Sequence, residues 1–296
     1  MRRIPSGLRI SGIAVAVTGS VMGAGHLLGA ATSSPPATVR HPAAPAPPAS
    51  SPARPPASIP LAWRDPVTGP GRPPLPENAN GPFGSWRNTG TAEVALTFDD
   101  GPDPQWTPQV LELLRLYKVK ATFCLVGVNV VKFPHLVRAM AAEGHTLCNH
   151  TWGHDLGLGN RGYGAILADM QRTTGAIRAA VPNAKVSYFR HPGGRWTAAA
   201  VSAAKSLGMT ALHWDVDPKD WRKPGAQAIS TMVKSSAIPG AIVLLHDGGG
   251  DRRGTVEALR SILPNLTARF PLVAMPAGID PPRRHGLQLP VHLGQQ

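Results

Sequence analysis

A regular alternation of two kinds of segment across residues 93–275 constrains the fold of this chain more than any other feature of its sequence. Short apolar runs predict strands at 94–98, 120–126, 145–148, 187–190, 210–215, 241–245 and 271–275. Between these runs, apolar residues recur at helical spacing and predict helices at 108–117, 133–142, 163–180, 197–207, 226–236 and 255–269. Roughly seven repeated βα units imply an α/β fold with a parallel sheet, either closed as a barrel or open and doubly wound.

The N-terminal residues 1–31 are typical of a signal peptide. Three arginines in the first nine residues precede an apolar stretch without acids at 10–28, and the small residues 29–31 suit a cleavage site. A membrane anchor is the alternative, because an apolar stretch of this length approaches the roughly 20 residues that span a bilayer. With either a signal peptide or a membrane anchor, the rest of the chain would be exported. We therefore expect an extracellular or cell-wall-associated protein.

Residues 32–84 differ from the rest of the chain in composition. Fifteen of the 32 prolines lie between Ser34 and Pro76, among many alanines and serines. Such a segment is extended and does not bury a core, which predicts a disordered linker. We therefore expect one catalytic domain at 85–280 and a C-terminal tail at 281–296.

The net charge of +13 comes from 30 Lys and Arg against 17 Asp and Glu. No basic run or basic amphipathic helix accompanies it, so we expect no nucleic-acid partner. A solvated basic surface is the simpler interpretation, and attraction to an acidic polymer such as a cell wall is the more specific one. No glycine-rich phosphate-binding motif follows a predicted strand, which argues against nucleotide binding. We assume a monomer.

Polar residues cluster where five of the predicted strands end. They are Asp99, Asp100, His150, His154, Arg190, Asp217, Asp220, His246 and Asp247. In α/β barrels the carboxyl ends of the strands carry the catalytic residues. The sequence therefore predicts a catalytic site at this rim.

Two histidines four residues apart, His150 and His154, can share a metal ion, although such a pair alone is more often structural or on the surface. A nearby carboxylate completes a three-ligand set that leaves positions open for water and substrate, as in catalytic metal sites. Zn²⁺ fits this set best, and non-haem Fe²⁺ uses the same ligands.

The adjacent side chains of Asp99 and Asp100 are expected to point in different directions. One carboxylate can then bind the metal while the other acts as a base; the alternative is a simple capped turn.

His246 follows a very apolar run and is either a buried core histidine or a general acid. In the second case Asp220 or Asp247 would hold its other ring nitrogen. Arg190 either pairs with Asp99 or forms an ordinary structural ion pair. Cys124 and Cys148 lie in predicted neighbouring strands of an exported protein, and we expect them to form a disulfide; the alternative is two buried free thiols.

Five segments, taken together and in order, resemble the motifs of the polysaccharide deacetylases of carbohydrate esterase family 4. They are TFDDGP at 97–102, HTWGH at 150–154, RHPGG at 190–194, DPKDW at 217–221 and LLHD at 244–247. The resemblance covers roughly residues 90–280. It implies a distorted, incomplete (β/α) barrel with about seven parallel strands.

The resemblance also implies a role for each matching residue. Asp99 is the expected general base, oriented by Arg190, and His246 is the expected general acid, tuned by Asp220. One divalent metal ion is expected on Asp100, His150 and His154, with Zn²⁺ first and Co²⁺, Ni²⁺ or Fe²⁺ as alternatives. Gly193 would supply a backbone N–H to the oxyanion, and Trp221 and Leu244 would line the pocket for the acetyl methyl group.

The implied reaction is hydrolysis of N-acetyl groups on N-acetylglucosamine polymers, either peptidoglycan or chitin and their oligomers. Two alternatives are an acetylxylan-type O-deacetylase on the same site and a non-catalytic carbohydrate-binding barrel. A glycosidase is disfavoured, because it needs two carboxylates across a sugar cleft and Asp99 and Asp100 are adjacent. The chain departs from the family at Gly193, where many members carry an aromatic residue; Trp196, Trp106 or Trp152 is the expected substitute.

Overall fold

Seven parallel strands form one curled sheet in residues 80–277, the part of the chain that this computed structural model describes. The strands are β1 (Val94–Asp99), β2 (Thr122–Leu125), β3 (Thr146–Asn149), β4 (Tyr188–Phe189), β5 (Thr210–Ala211), β6 (Ile242–His246) and β7 (Leu272–Val273). The helices are α1 (Thr107–Leu116), α2 (Gly127–Lys132), α3 (Pro134–Ala142), α4 (Tyr163–Ala180), α5 (Ala198–Ser206), α6 (Ala226–Ser236) and α7 (Arg253–Arg269). The predicted seven-stranded α/β architecture is confirmed.

The sheet curls into a barrel that is closed only in part. Its strand order is β5-β4-β3-β2-β1-β6, and β7 pairs with the first residues of β1. Between β5 and β6, the chain ahead of β1 fills the gap with isolated bridges, as Trp86 pairs with Leu212 and Asn88 pairs with Ala241. This arrangement is the distorted, incomplete (β/α) barrel that the motif resemblance implies.

The barrel interior and the helix layer are both apolar. All residues of β1 and β6 are buried, as expected for a parallel sheet covered on both faces. A small interior cluster contains Cys124 and Cys148, and Met275 packs against it from the segment after β7. The register of β2 and β3 places the two cysteines directly opposite each other. They form the expected disulfide.

Two local predictions differ from the structure. Strands β4, β5 and β7 are two residues long, shorter than the predicted 187–190, 210–215 and 271–275. Strand β5 ends early because the next residues pair with the chain ahead of β1, where the N–H of His213 donates to the carbonyl of Trp86. Helix α2 was not predicted, because six residues are too few for a helical pattern to emerge. Its first turn is stabilised from outside the helix, where Gly127 and Val128 donate N–H groups to the loop after β3.

The predicted signal or anchor at 1–31, the linker up to residue 79 and the tail at 281–296 lie outside the described residues. Among residues 80–277, none of the helices combines the length and the apolar character that crossing a bilayer requires.

Candidate active site

The carboxyl edge of the sheet brings the predicted site residues together. Asp99 ends β1 and lies in register with His246, which ends β6. His150 directly follows β3 and Arg190 directly follows β4. Both side chains are buried, with His150 1% and Arg190 0% exposed. The site is therefore built by residues that leave four different strands at one edge, as the sequence predicts.

Asp100, His150 and His154 form the one cluster of metal-binding side chains found among the described residues, with ligand atoms all within 4.8 Å of one another. The Oδ1 atom of Asp100 lies 3.1 Å from Nε2 of His154 and 3.4 Å from Nε2 of His150. A tetrahedral ion with bonds of about 2.1 Å holds its ligand atoms roughly 3.4 Å apart. The spacing of these three atoms therefore fits a bound Zn²⁺-sized ion.

Two further observations support that fit. Oδ1 of Asp100 is buried yet makes no hydrogen bond with any described group, which is costly unless a cation binds it. Nδ1 of His150 lies 2.8 Å from the carbonyl oxygen of Arg190 and donates to it. This hydrogen bond leaves Nε2 with its lone pair directed at the cluster, the usual second contact of a metal-binding histidine.

The electrostatics of the cluster favour an anionic Asp100. Burial alone would raise its pKa, but the adjacent imidazoles of His150 and His154 outweigh that effect and hold the pKa of Asp100 well below its usual range. In turn, Asp100 raises the pKa of His154 against the opposing effect of burial. An ionised carboxylate beside two imidazoles is the donor set that a divalent cation prefers.

The backbone around the ligands is unusual and is held from several sides. Asp100, Thr151 and His154 all have positive φ angles, of 73°, 66° and 56°. Non-glycine residues with such angles cost free energy and cluster at functional sites. Asn129 of α2 fixes the Asp100 turn by donating from Nδ2 to the carbonyl of Asp100 at 2.9 Å. Gly249 has φ of 72° and packs against the Asp100 carboxylate so closely that a side chain there would overlap it.

Arg190 holds the second aspartate, Asp99. Its Nη1 donates to Oδ1 of Asp99 at 2.7 Å and to the hydroxyl of Thr97 at 2.8 Å. Its remaining donors are fixed by the carbonyls of Leu212 and His213, at 3.0 and 3.1 Å. A buried guanidinium with this many partners compensates the charge of Asp99 and fixes the direction of its carboxylate.

The free oxygen of Asp99 faces the ligand cluster. Its Oδ2 lies 3.6 Å from Nε2 of His150. Asp99 therefore borders the ligand cluster while Arg190 holds its other oxygen, and only Asp100 lies close to both histidines. The two adjacent aspartates point in different directions, as the sequence analysis requires for separate roles.

His246 is paired with Asp220, which resolves the alternatives left open by the sequence. Nδ1 of His246 lies 2.6 Å from Oδ1 of Asp220, and its backbone N–H donates to Oδ2 at 2.9 Å. The hydroxyl of Thr255, in the first turn of α7, also donates to Oδ2 at 2.8 Å. Burial of His246 opposes its protonated form, but the hydrogen bond and charge of Asp220 raise its pKa to about 9.

Asp247 has a different environment. It is fully buried, its Oδ2 accepts from the hydroxyl of Thr107 at 2.5 Å, and its N–H donates to the carbonyl of Asp99. Burial, together with the charges of Asp100 and Asp99, raises the pKa of Asp247 to about 7. Asp247 therefore holds the β1 turn, and it is not the partner of His246.

The predicted substrate-contacting residues lie in the loops after β4 and β5 and in β6. Gly193 is exposed with φ of 61°, Trp221 is 46% exposed and Leu244 is 4% exposed. Among the expected aromatic substitutes, Trp196 and Trp106 are buried in the core and present no free face. Trp152 is half-buried, with the guanidinium of Arg172 stacked 3.6 Å from its ring centre.

The sequence analysis missed the residues that support this site. They are Thr107, Asn129, Thr255 and Gly249. Each holds another functional side chain or backbone group and lies in no motif of its own. The glycine run after Asp247 is the single sequence signal that pointed to one of them.

Comparisons with known proteins agree with this geometry. The sequence profile described as Polysaccharide deacetylase matches residues 87–212. The chain is 43% identical over 194 residues to a chitooligosaccharide deacetylase of Bradyrhizobium sp., covering 61% of this chain and 87% of that protein. It is also 43% identical over 175 residues to a peptidoglycan-N-acetylglucosamine deacetylase of Bacillus cereus, covering 58% and 81%.

A solved structure extends the comparison to three dimensions. The crystal structure of the Bc1960 peptidoglycan N-acetylglucosamine deacetylase superposes with a TM-score of 0.61 at 32% sequence identity. The superposition covers 69% of this chain and 92% of that one. Both the half-barrel and the order of the elements are therefore shared.

Proposed function

The chain belongs to the polysaccharide deacetylase family, and on that premise we propose that it hydrolyses the N-acetyl groups of N-acetylglucosamine-containing glycans. The proposed substrates are chito-oligosaccharides and peptidoglycan, the substrates named for the two relatives. The reaction proposed is metal-dependent amide hydrolysis, with the ion on Asp100, His150 and His154. Zn²⁺ is the proposed ion, because two imidazoles and one carboxylate form its common catalytic ligand set.

One observation carries the proposal: a carboxylate and an imidazole at the ends of the neighbouring strands β1 and β6 are each held by a partner of opposite charge. Arg190 binds Oδ1 of Asp99 at 2.7 Å, which leaves Oδ2 as the oxygen that can accept a proton. Asp220 stabilises the cationic form of His246, the form that donates one. A carboxylate held by a cation and an imidazole held by an anion form the arrangement expected of a general base and a general acid.

The roles of the chain's own groups follow from this arrangement. A bound divalent cation would polarise the acetyl carbonyl and acidify water at the site. Asp99 accepts a proton from the attacking water through Oδ2, while Arg190 holds Oδ1. The backbone N–H of Gly193 donates to the oxyanion, and such a donor contributes about 3–4 kcal/mol to transition-state stabilisation in a well-studied hydrolase. His246 then protonates the leaving amine from Nε2, since Asp220 holds Nδ1.

The need for an acid favours an amide substrate over an ester. An amine leaves only when it is protonated, whereas an alkoxide from an O-acetyl ester depends less on a donor. The buried Asp220, with three hydrogen bonds to its carboxylate, maintains such a donor at neutral pH. Trp221 and Leu244 are proposed to enclose the acetyl methyl group.

Acetate release from a panel of acetylated glycans tests the proposal. The panel contains chitotetraose, peptidoglycan and acetylxylan, each assayed with Zn²⁺ and with a chelator. We expect release from the first two substrates, and loss of release after chelation. Release from acetylxylan alone would establish the O-deacetylase instead. Binding of all three glycans without any release would establish the non-catalytic barrel.

Export is proposed on two observations: the signal-like residues 1–31 and the disulfide between Cys124 and Cys148. Disulfides persist in oxidising compartments and are rare in the bacterial cytosol. Cell fractionation locates the protein, and the mass of its N-terminal peptide distinguishes cleavage after residue 31 from a retained anchor. Recovery of the full-length chain in the cytosolic fraction would contradict export.

A further inference from the structure

Leu156 is an exposed aliphatic side chain beside Gly193. Its side chain is 41% exposed, although leucine is one of the residue types most often buried. Its Cδ2 atom lies 2.9 Å from the position that a Cβ atom on Gly193 would take. Leu156 therefore occupies the space in which a side chain of residue 193 would begin.

The loop that carries Leu156 is anchored on both sides of it. The Asp155 carboxylate accepts from the N–H of Gly157 at 2.8 Å and pairs with Arg161 at 2.6 Å. Leu158, two residues further on, is 1% exposed. These contacts hold the loop on both sides of Leu156. The conformation of the loop therefore sets the exposed position of the Leu156 side chain.

The position of Leu156 relates it to the proposed reaction centre. It follows the ligand His154 by two residues and contacts the loop that carries the proposed oxyanion donor, Gly193. A sugar ring bound next to Gly193 would therefore lie beside an apolar side chain. Pyranose rings present faces of C–H groups, which aliphatic side chains bury favourably.

We propose that Leu156 is a specificity-determining residue that packs against a sugar ring of the glycan and replaces the side chain absent at Gly193. This inference rests on the proposed function, since it assigns a contact to that substrate class. It predicts that the chain recognises its glycan through an aliphatic contact on the loop after β3. The three tryptophans considered from sequence are excluded from this position or are already covered.

The test compares Leu156→Ala with Leu116→Ala, a matched control that removes an equally exposed leucine (42%) from α1. We expect Leu156→Ala to raise KM for chitotetraose about five- to tenfold with kcat within about twofold, because the contact is made equally before and during the reaction. Leu156→Met is expected to restore KM, and hydrolysis of 4-nitrophenyl acetate, which lacks a sugar, is expected to change in neither variant. Equal KM values for Leu156→Ala and Leu116→Ala would overturn the proposal.

A binding measurement separates this inference from the proposed function. Chitotetraose is titrated into chelated enzyme, where no acetate is released, and Leu156→Ala is expected to weaken Kd by the same five- to tenfold. Binding that depends on Leu156, without release by the metal-loaded enzyme, supports the inference and contradicts the proposed function. Release with a Kd unchanged by Leu156→Ala contradicts the inference alone, and absence of binding contradicts both.

Discussion

Nδ1 of His246 lies 2.6 Å from Oδ1 of Asp220, and the second oxygen of Asp220 is held by the backbone of His246 and the hydroxyl of Thr255. This contact fixes the ring orientation and leaves Nε2 as the group that faces the site. It also fixes the pH range in which His246 can donate a proton.

Asp220→Asn is expected to move the basic limb of the pH–rate profile to lower pH. His246 donates only when protonated, so activity is present below its pKa, which Asp220 raises to about 9. Without that charge, burial opposes the protonated form of His246 against only the charges of Asp100 and Asp99, so its pKa falls. The profile of kcat is measured beside Asp215→Asn, a control that removes an aspartate paired with Arg87. A basic limb at the same pH in both variants would contradict the assignment of His246 as the acid.

His154→Ala is expected to lose stoichiometric metal. The substitution removes one of three ligands, and Asp100 and His150 alone form a much weaker site. Metal content after dialysis is measured by mass spectrometry, with His135→Ala as the control because His135 is exposed on α3. One bound ion per chain in His154→Ala, together with normal activity, is the result that would exclude this metal site.

Asp99→Asn and Asp100→Asn are expected to fail in different ways. Asp99 makes its short contact with Arg190, so its substitution is expected to retain the metal while kcat falls about 10²–10⁴-fold, the usual contribution of a general base. Asp100→Asn removes a ligand and is expected to lose the metal itself. Both variants are compared by metal content and by acetate release. If Asp99→Asn loses the ion or keeps near-normal kcat, the roles of the two aspartates must be exchanged or redrawn.

The sequence predicts those site residues that are reactive or charged and that lie directly at the end of a predicted strand. Asp99, His150, Arg190 and His246 each stand where an apolar run stops, and a parallel sheet brings such ends to one edge. The residues alone left Asp220 and Asp247 open as partners of His246, and the motif resemblance implied Asp220. The fold gives the physical reason, because Asp247 turns toward Thr107. Helix α2 was not predictable either, since tertiary hydrogen bonds from the β3 loop stabilise it.

Replacing both Cys124 and Cys148 by serine is expected to lower the free energy of unfolding by about 2–4 kcal/mol, because the disulfide limits the unfolded chain over a separation of 24 residues. Urea denaturation of the wild type and the double variant measures the difference. In parallel, thiol titration of the denatured, unreduced wild type is expected to find no free thiol. Two free thiols per chain in correctly exported protein would show that the disulfide does not form.

Asp247→Asn is expected to change the pH dependence of stability. Burial raises the pKa of Asp247 from 3.8 to about 7, so between these values the native chain holds a proton that the unfolded chain releases. The free energy of unfolding of the wild type therefore falls as pH rises from about 4 to 7, by up to about 4 kcal/mol from this group.

The asparagine of the variant does not ionise, and its amide oxygen still accepts from Thr107. The variant is therefore expected to gain stability relative to the wild type as pH rises across this range. Urea denaturation of chelated protein at pH 4.5 and pH 8 measures the change, with the exposed Asp251→Asn as the control. Equal pH dependence in all three proteins would show that Asp247 ionises in the native state as freely as in the unfolded chain.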